Sequence, residues 1–148
     1  MPVDVCCEIE IARPRAEVSA FAGDLDNTTL WYENIEVVAW RSPKPAAVGS
    51  RVEFTARFLG RRLTYTYEIL ELVPGRRLRM AASGGPFPME TTYTWDDAPR
   101  GATTMTLRNR GEPSAFFRIA APLLERAMRR ANGKDLARLR ELLERGVR

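Results

Sequence analysis

The 148-residue sequence predicts an α+β protein in which a curved seven-stranded antiparallel sheet wraps on a long C-terminal helix, with two short helices after the first strand. Three observations carry this expectation. First, Phe117, Ala121, Leu124, Met128, Leu136, Leu139 and Leu143 recur at steps of three and four, with one gap at Asn132, which is the stripe of a helix buried on one side over residues 113–143. Second, runs with a period of two fill most of the chain from Ile35 to Asn109, punctuated by glycine and proline. Third, strands joined by short turns must be antiparallel neighbours, since a parallel pair requires a long crossover. The concave face of such a sheet needs a cover, and only the long helix is large enough to provide it.

Taken in order, Val3, Val5, Cys7, Ile9 and Ile11 alternate with polar residues and make the first strand half-buried. Arg13-Pro14 ends it, and Val18, Phe21 and Ala22 then give a short helix that Gly23 stops. Asp24 and Asp26 are expected to cap a second short helix reaching Leu30, Trp31 and Tyr32. Strands follow over Ile35–Trp40, Arg51–Phe58, Arg61–Val73, Leu78–Ala82, Met89–Trp95 and Thr103–Asn109. Their turns are signalled by Leu59-Gly60, Pro74-Gly75, the Gly84-Gly85-Pro86 segment and Asp96–Gly101. The final helix would run about 45 Å over roughly 30 residues. Pro122 and Gly133 interrupt its pattern, so a bend or a weak first turn before Pro122 is expected. Asn132 beside Gly133 is expected to cap that kink, with ligand contact as the alternative.

At 45% hydrophobic and 28% charged, the chain suits one globular domain spanning residues 1–148. The absence of histidine excludes the usual zinc sets and every histidine-based triad, so no metal is expected, and no sequence motif calls for a cofactor, so none is expected either. Cys6 and Cys7 are adjacent in a strand and point to opposite faces, so a disulfide between them would be strained and a reducing cytoplasm suits them. No apolar run approaches the roughly 20 residues that cross a bilayer, and Asp4, Glu8 and Glu10 stand where a secretion signal would be basic, so a soluble, unsecreted protein is expected. The net charge of +4 comes from the C-terminal segment, where nine Lys/Arg face five Asp/Glu from Glu112 onward. Acidic residues are interspersed there and no aromatic residues offer a stacking surface, so a solvated helix face is expected and nucleic acid is not. The Gly84-Gly85 loop lacks the Lys-Ser/Thr of a phosphate cradle.

The front of the chain, with Ile11-Ala12-Arg13-Pro14, Val18, Phe21, Asp24, Asn27 and Trp31, together with Asn132 to Leu143 at the back, resembles the START-like helix-grip superfamily, also called SRPBCC, and within it the bacterial polyketide cyclase/dehydrase-type members. These motifs speak to architecture more than to chemistry. The resemblance implies an apolar cavity between sheet and helix that holds a lipid, sterol, polyketide or other hydrophobic small molecule. Ser42–Gly49 stands where the plant allergen-like branch carries a glycine-rich loop.

With alternate apolar residues pointing inward, the cavity wall is expected to draw on Phe54, Ala56, Phe58, Tyr65, Tyr67, Met80, Tyr93, Trp95, Met105, Leu107, Asn109, Leu124 and Met128, and also on Val37, Ile69 and Met89. Aromatic residues and methionines suit a flat or variable apolar ligand. Polar groups on this face, the hydroxyls of Tyr65, Tyr67, Tyr93, Thr91 and Thr103 and the amides of Asn109 and Asn132, are the candidates for orienting it. Glu53, Glu68 and Arg57 fall out of phase and are expected to pair across the solvated face. The leading expectation is carriage or sequestration of a hydrophobic small molecule. The enzyme alternative is a polyketide aromatase/cyclase that works by holding a reactive chain in the productive fold. A third class is an accessory protein that lifts lipid from a surface, with a weak attraction from the basic helix face.

Overall fold

The computed structural model describes residues 3–58, 60–82, 88–112 and 121–146. Seven strands, β1 (Val3–Ile11), β2 (Ile35–Trp40), β3 (Arg51–Phe58), β4 (Arg61–Val73), β5 (Arg77–Ala82), β6 (Met89–Ala98) and β7 (Ala102–Gly111), form one curved antiparallel sheet in the order β1-β7-β6-β5-β4-β3-β2. Helices α1 (Arg15–Ala22) and α2 (Thr28–Trp31) follow β1, and α3 (Ala121–Glu144) covers the concave face. The part of the last helix predicted over 113–120 lies outside the described residues, as does the Phe58 side chain.

Alternation places the strands as expected in most of the sheet. On β6 and β7 the inward residues meet in register, Trp95 opposite Met105, Tyr93 opposite Leu107 and Thr91 opposite Asn109. β1 closes the far side by pairing with β7, Ile9 opposite Met105 and Cys7 opposite Leu107. Out-of-phase charges pair on the outer face: Arg41 with Glu53 at 2.8 Å, Arg57 with Glu36 at 3.6 Å and Arg51 with Glu68 at 4.0 Å. In β2 the phase departs from expectation. A bulge between Ile35 and Val37 shifts the register against β3, so Ile35 and Val38 turn toward the core and Val37 is exposed. One extra residue moves every later side chain of the strand to the other face.

The corner after β1 is held by short polar contacts. Asp24 Oδ1 accepts from the Asp26 N–H at 3.1 Å, Asn27 Nδ2 donates to the Phe21 carbonyl at 3.1 Å, and Thr28 Oγ1 donates to the Leu25 carbonyl at 2.8 Å. Asp24 therefore caps a 3-10 turn over Leu25–Asn27 that leads into α2, and not α2 itself, whereas Asp26 turns away and accepts from Trp40 Nε1 at 2.7 Å and from Lys44. Gly23 lets the end of α1 lie on β6. A Cβ there would sit 2.6 Å from the Ser19 carbonyl oxygen and 3.3 Å from the Trp95 ring.

Helix α3 runs through Gly133 without interruption, so Asn132 does not cap a kink. The helix hydrogen bonds already satisfy the backbone there, and its stripe turns the Asn132 side chain inward, where it is buried. The interior falls into two packed clusters. The larger joins Leu136, Leu139 and Leu143 to α1, α2 and the Trp95, Met105 and Leu107 end of the sheet. The smaller joins Leu124 and Met128 to Val3, Val5 and Met89.

Candidate functional site

A cavity of about 170 Å3 is lined by Met80 and Tyr93 of the larger cluster and by Leu124 and Met128 of the smaller, with Tyr67 packed against both. Phe54, Tyr67, Met80 and Tyr93 face it from the sheet, Leu124, Met128 and Ala131 from α3, Tyr32 and Asn34 from the segment joining α2 to β2, and Ile35 from the start of β2. Ala56, Leu63 and Tyr65 continue the wall toward exposed Arg61. Aromatic edges pack the sheet side, with Phe54 and Tyr67 edge-on at 5.6 Å between ring centres.

Polar groups gather in two places. On one side Thr91 Oγ1 donates to Asn109 Oδ1 at 2.6 Å and lies 3.3 Å from the Tyr67 hydroxyl. On the other, the Tyr32 and Tyr93 hydroxyls share a hydrogen bond of 2.6 Å near Asp135. Two hydroxyls joined by one bond use one proton between them, which leaves the second proton to give elsewhere. Asp135 is buried at 3% exposure, and its Oδ1 accepts the Glu33 backbone N–H at 3.0 Å. Burial pushes its carboxyl up to about 6, against the opposing pull of that N–H. Burial likewise raises the hydroxyls of Tyr32, Tyr65 and Tyr93 and carries that of Tyr67 up to about 12, so all four are protonated donors at neutral pH. Asn132, 6% exposed, lines the cavity with its Nδ2 unpartnered among the described residues.

Of the residues expected to form the wall, the structure gathers Phe54, Ala56, Tyr65, Tyr67, Met80, Tyr93, Asn109, Leu124 and Met128 around this cavity, and Met89 and Thr91 with them. Trp95, Met105 and Leu107 do not line it, and Ile69 does not either. Their inward phase is as expected, but they lie at the end of the sheet that α1 and the last turns of α3 fill solidly. Alternation tells the face of a strand and not the position along it at which packing is complete. Val37 is outside because of the β2 bulge.

Tyr32, Asn34, Arg61, Leu63, Ala131 and Asp135 were not among the expected wall residues. Asp135 carried a usable signal, since Met128, Asn132, Asp135 and Leu139 step by four, three and four down one face of the helix. Among the described residues no group of three or more His, Cys, Asp or Glu could hold a metal ion, and no helix is long and apolar enough to cross a membrane. Cys6 is exposed and Cys7 partly buried, both as free thiols.

No curated protein matches the sequence. Solved structures match its whole length in shape. TTHA0849 from Thermus thermophilus superposes with a TM-score of 0.83 at 20% identity, covering 97% of this chain and 99% of its own. The Zhui aromatase/cyclase from Streptomyces sp. R1128 superposes with a TM-score of 0.84 at 18% identity, covering 100% and 97%. A START superfamily protein from Mycobacterium smegmatis gives 0.75 at 14% identity over 97% and 96%. At these identities the likeness is one of fold. The sequence itself goes further: residues 3–144 match the family described as polyketide cyclase / dehydrase and lipid transport, and the chain belongs to that family.

Proposed function

We propose that this protein binds a hydrophobic small molecule in the cavity between its sheet and α3, as a carrier or sequestering protein. The observation that carries the reading is the unfilled space itself, a gap of about 170 Å3 walled by aromatic and methionine side chains between two otherwise tightly packed clusters. The recess opens toward exposed Arg61, and its apolar walls lack contacts that an entering apolar molecule would supply. The family description, which includes lipid transport, agrees with this use. The test is titration of the protein with an apolar fluorescent dye, alongside mass spectrometry of compounds that co-purify with it. Saturable binding of the dye, or of a one-ring apolar probe where the dye is too large, weakened by Ala56→Leu, is the expected result; a folded parent protein that binds neither would defeat the reading.

A second reading, a cyclase that positions its substrate, is favoured by one observation. Asp135 places a carboxyl that titrates at about 6 in the wall of the cavity, near the paired Tyr32 and Tyr93 hydroxyls, where a proton could be taken or returned at neutral pH. The Zhui aromatase/cyclase shares the fold. Offering a reactive poly-β-ketone and following ring formation tests it: Asp135→Asn should bind the compound yet lose the rate enhancement. A parent protein that leaves the uncatalysed rate unchanged would rule it out.

A further inference from the structure

The polar side chains around the cavity are not alike in what they leave open. Thr91 is engaged with Asn109, Asp135 with the Glu33 backbone, and the Tyr32 and Tyr93 hydroxyls with each other, that pair keeping one proton to give. Asn132 differs: it is more than nine-tenths buried, lines the cavity, and its Nδ2 has no acceptor among the described residues. A buried amide without a partner costs free energy that a leucine in the same stripe would not, so the position makes sense when something entering the cavity supplies the acceptor.

Size narrows the class. At about 170 Å3 the cavity is near the roughly 150 Å3 that accepts benzene in an engineered apolar site, and below the roughly 300–1,000 Å3 of pockets that take drug-sized ligands. Phe54, Met80 and Met128 present flat or adaptable apolar surface around it. Resting on the binding role proposed above, we propose that the ligand is a compact apolar molecule of about one ring bearing an acceptor oxygen, and that Asn132 recognises that oxygen by donating from Nδ2. An aryl ketone has this chemistry: a flat apolar body and one oxygen that accepts without needing to donate.

The test compares two molecules of nearly the same shape, acetophenone and ethylbenzene, which differ in that oxygen. Their affinities would be measured by calorimetry or ligand-observed NMR on the full chain and on Asn132→Leu and Asn132→Ala, with circular dichroism confirming that each variant is folded. The expected result is about a tenfold loss of acetophenone affinity in both variants, with ethylbenzene unchanged or tighter in Asn132→Leu, so that the ketone-to-hydrocarbon preference shifts by tenfold or more. If both probes bind and the substitutions alter them equally, recognition by Asn132 is wrong while hydrophobic binding stands. If palmitate binds and neither small probe does, the size class is wrong. If neither small probe, palmitate nor an apolar dye binds the folded parent, the binding role itself fails and ketone recognition goes with it.

Discussion

Asp135 lies where the leucine stripe of α3 would ordinarily continue, one turn after Asn132 and one turn before Leu139. Its carboxyl is raised from 3.8 to about 6, so the folded protein holds this proton more tightly than the unfolded chain does. Stability associated with the group is therefore greatest below pH 4 and declines as pH rises from about 4 to 6, leaving a penalty of about 3 kcal/mol above that range. Asp135→Asn keeps an oxygen for the Glu33 N–H and removes the charge. It should stabilise the protein by up to about 2–3 kcal/mol at pH 8, and the advantage should shrink as the pH falls through 6 to 4. Chemical denaturation across that range checks it, and an advantage independent of pH would contradict it. Ala56→Leu probes the opposite wall. In filled space the added carbons would cost about 1–3 kcal/mol. Against the cavity they should leave the melting temperature near that of the parent and reduce dye binding. At this scale the sequence was informative about type and less so about place. Tyr65, Tyr67 and Tyr93 were legible as inward hydroxyls from alternation alone. Asp135 was hidden because a charged residue next to Lys134 reads as solvated unless the steps from Met128 and Leu139 are counted.

Helix α3 makes the stripe argument quantitative. Leu139 is fully buried in the larger cluster, and Leu139→Ala should cost about 2–5 kcal/mol. Arg138 is exposed but donates from Nε to the Leu30 carbonyl at 2.9 Å, so Arg138→Ala should cost about 0.5–1 kcal/mol, more than a wholly solvated side chain would. Thermal melts of the two variants separate these cases. Glycine-to-alanine changes should have opposite signs at two positions. Gly133 is an exposed helix residue whose Cβ would meet nothing within 4 Å, and Gly133→Ala should stabilise by about 0.5–1 kcal/mol. At Gly23 the Cβ would strike the Ser19 carbonyl and crowd the Trp95 ring, and Gly23→Ala should destabilise by about 1–3 kcal/mol. Element order and most boundaries were legible, because each strand alternates and each turn carries glycine or proline. The β2 bulge was not, since nothing in Ile35-Glu36-Val37-Val38 distinguishes a regular strand from one that gains a residue against β3.

For the whole molecule, β1 pairs with β7 and lies against α3, while β2 stands at the far edge of the sheet. Amide exchange should accordingly be slower in the inner strands β3 to β7, which are paired on both sides, and fastest among the strands in β2. Exchange mass spectrometry giving β1 and β2 equal protection would mean that α3 does not shield its edge. That β1 and β7 meet was not readable from turns, because more than ninety residues separate partners such as Ile9 and Met105. The separation of a solid end, built on Trp95, Met105, Leu136 and Leu139, from a hollow end, built on Ala56, Leu63, Tyr65 and Met128, has a consequence for how such a chain can change. Side chains bordering empty space can be exchanged without displacing neighbours, so selectivity can drift at the hollow end while the solid end keeps the molecule folded. A library randomised at Leu63, Tyr65 and Met128 should retain many more folded members than one randomised at Leu107, Leu136 and Leu139, which makes the hollow end the natural place to evolve new specificity in this scaffold.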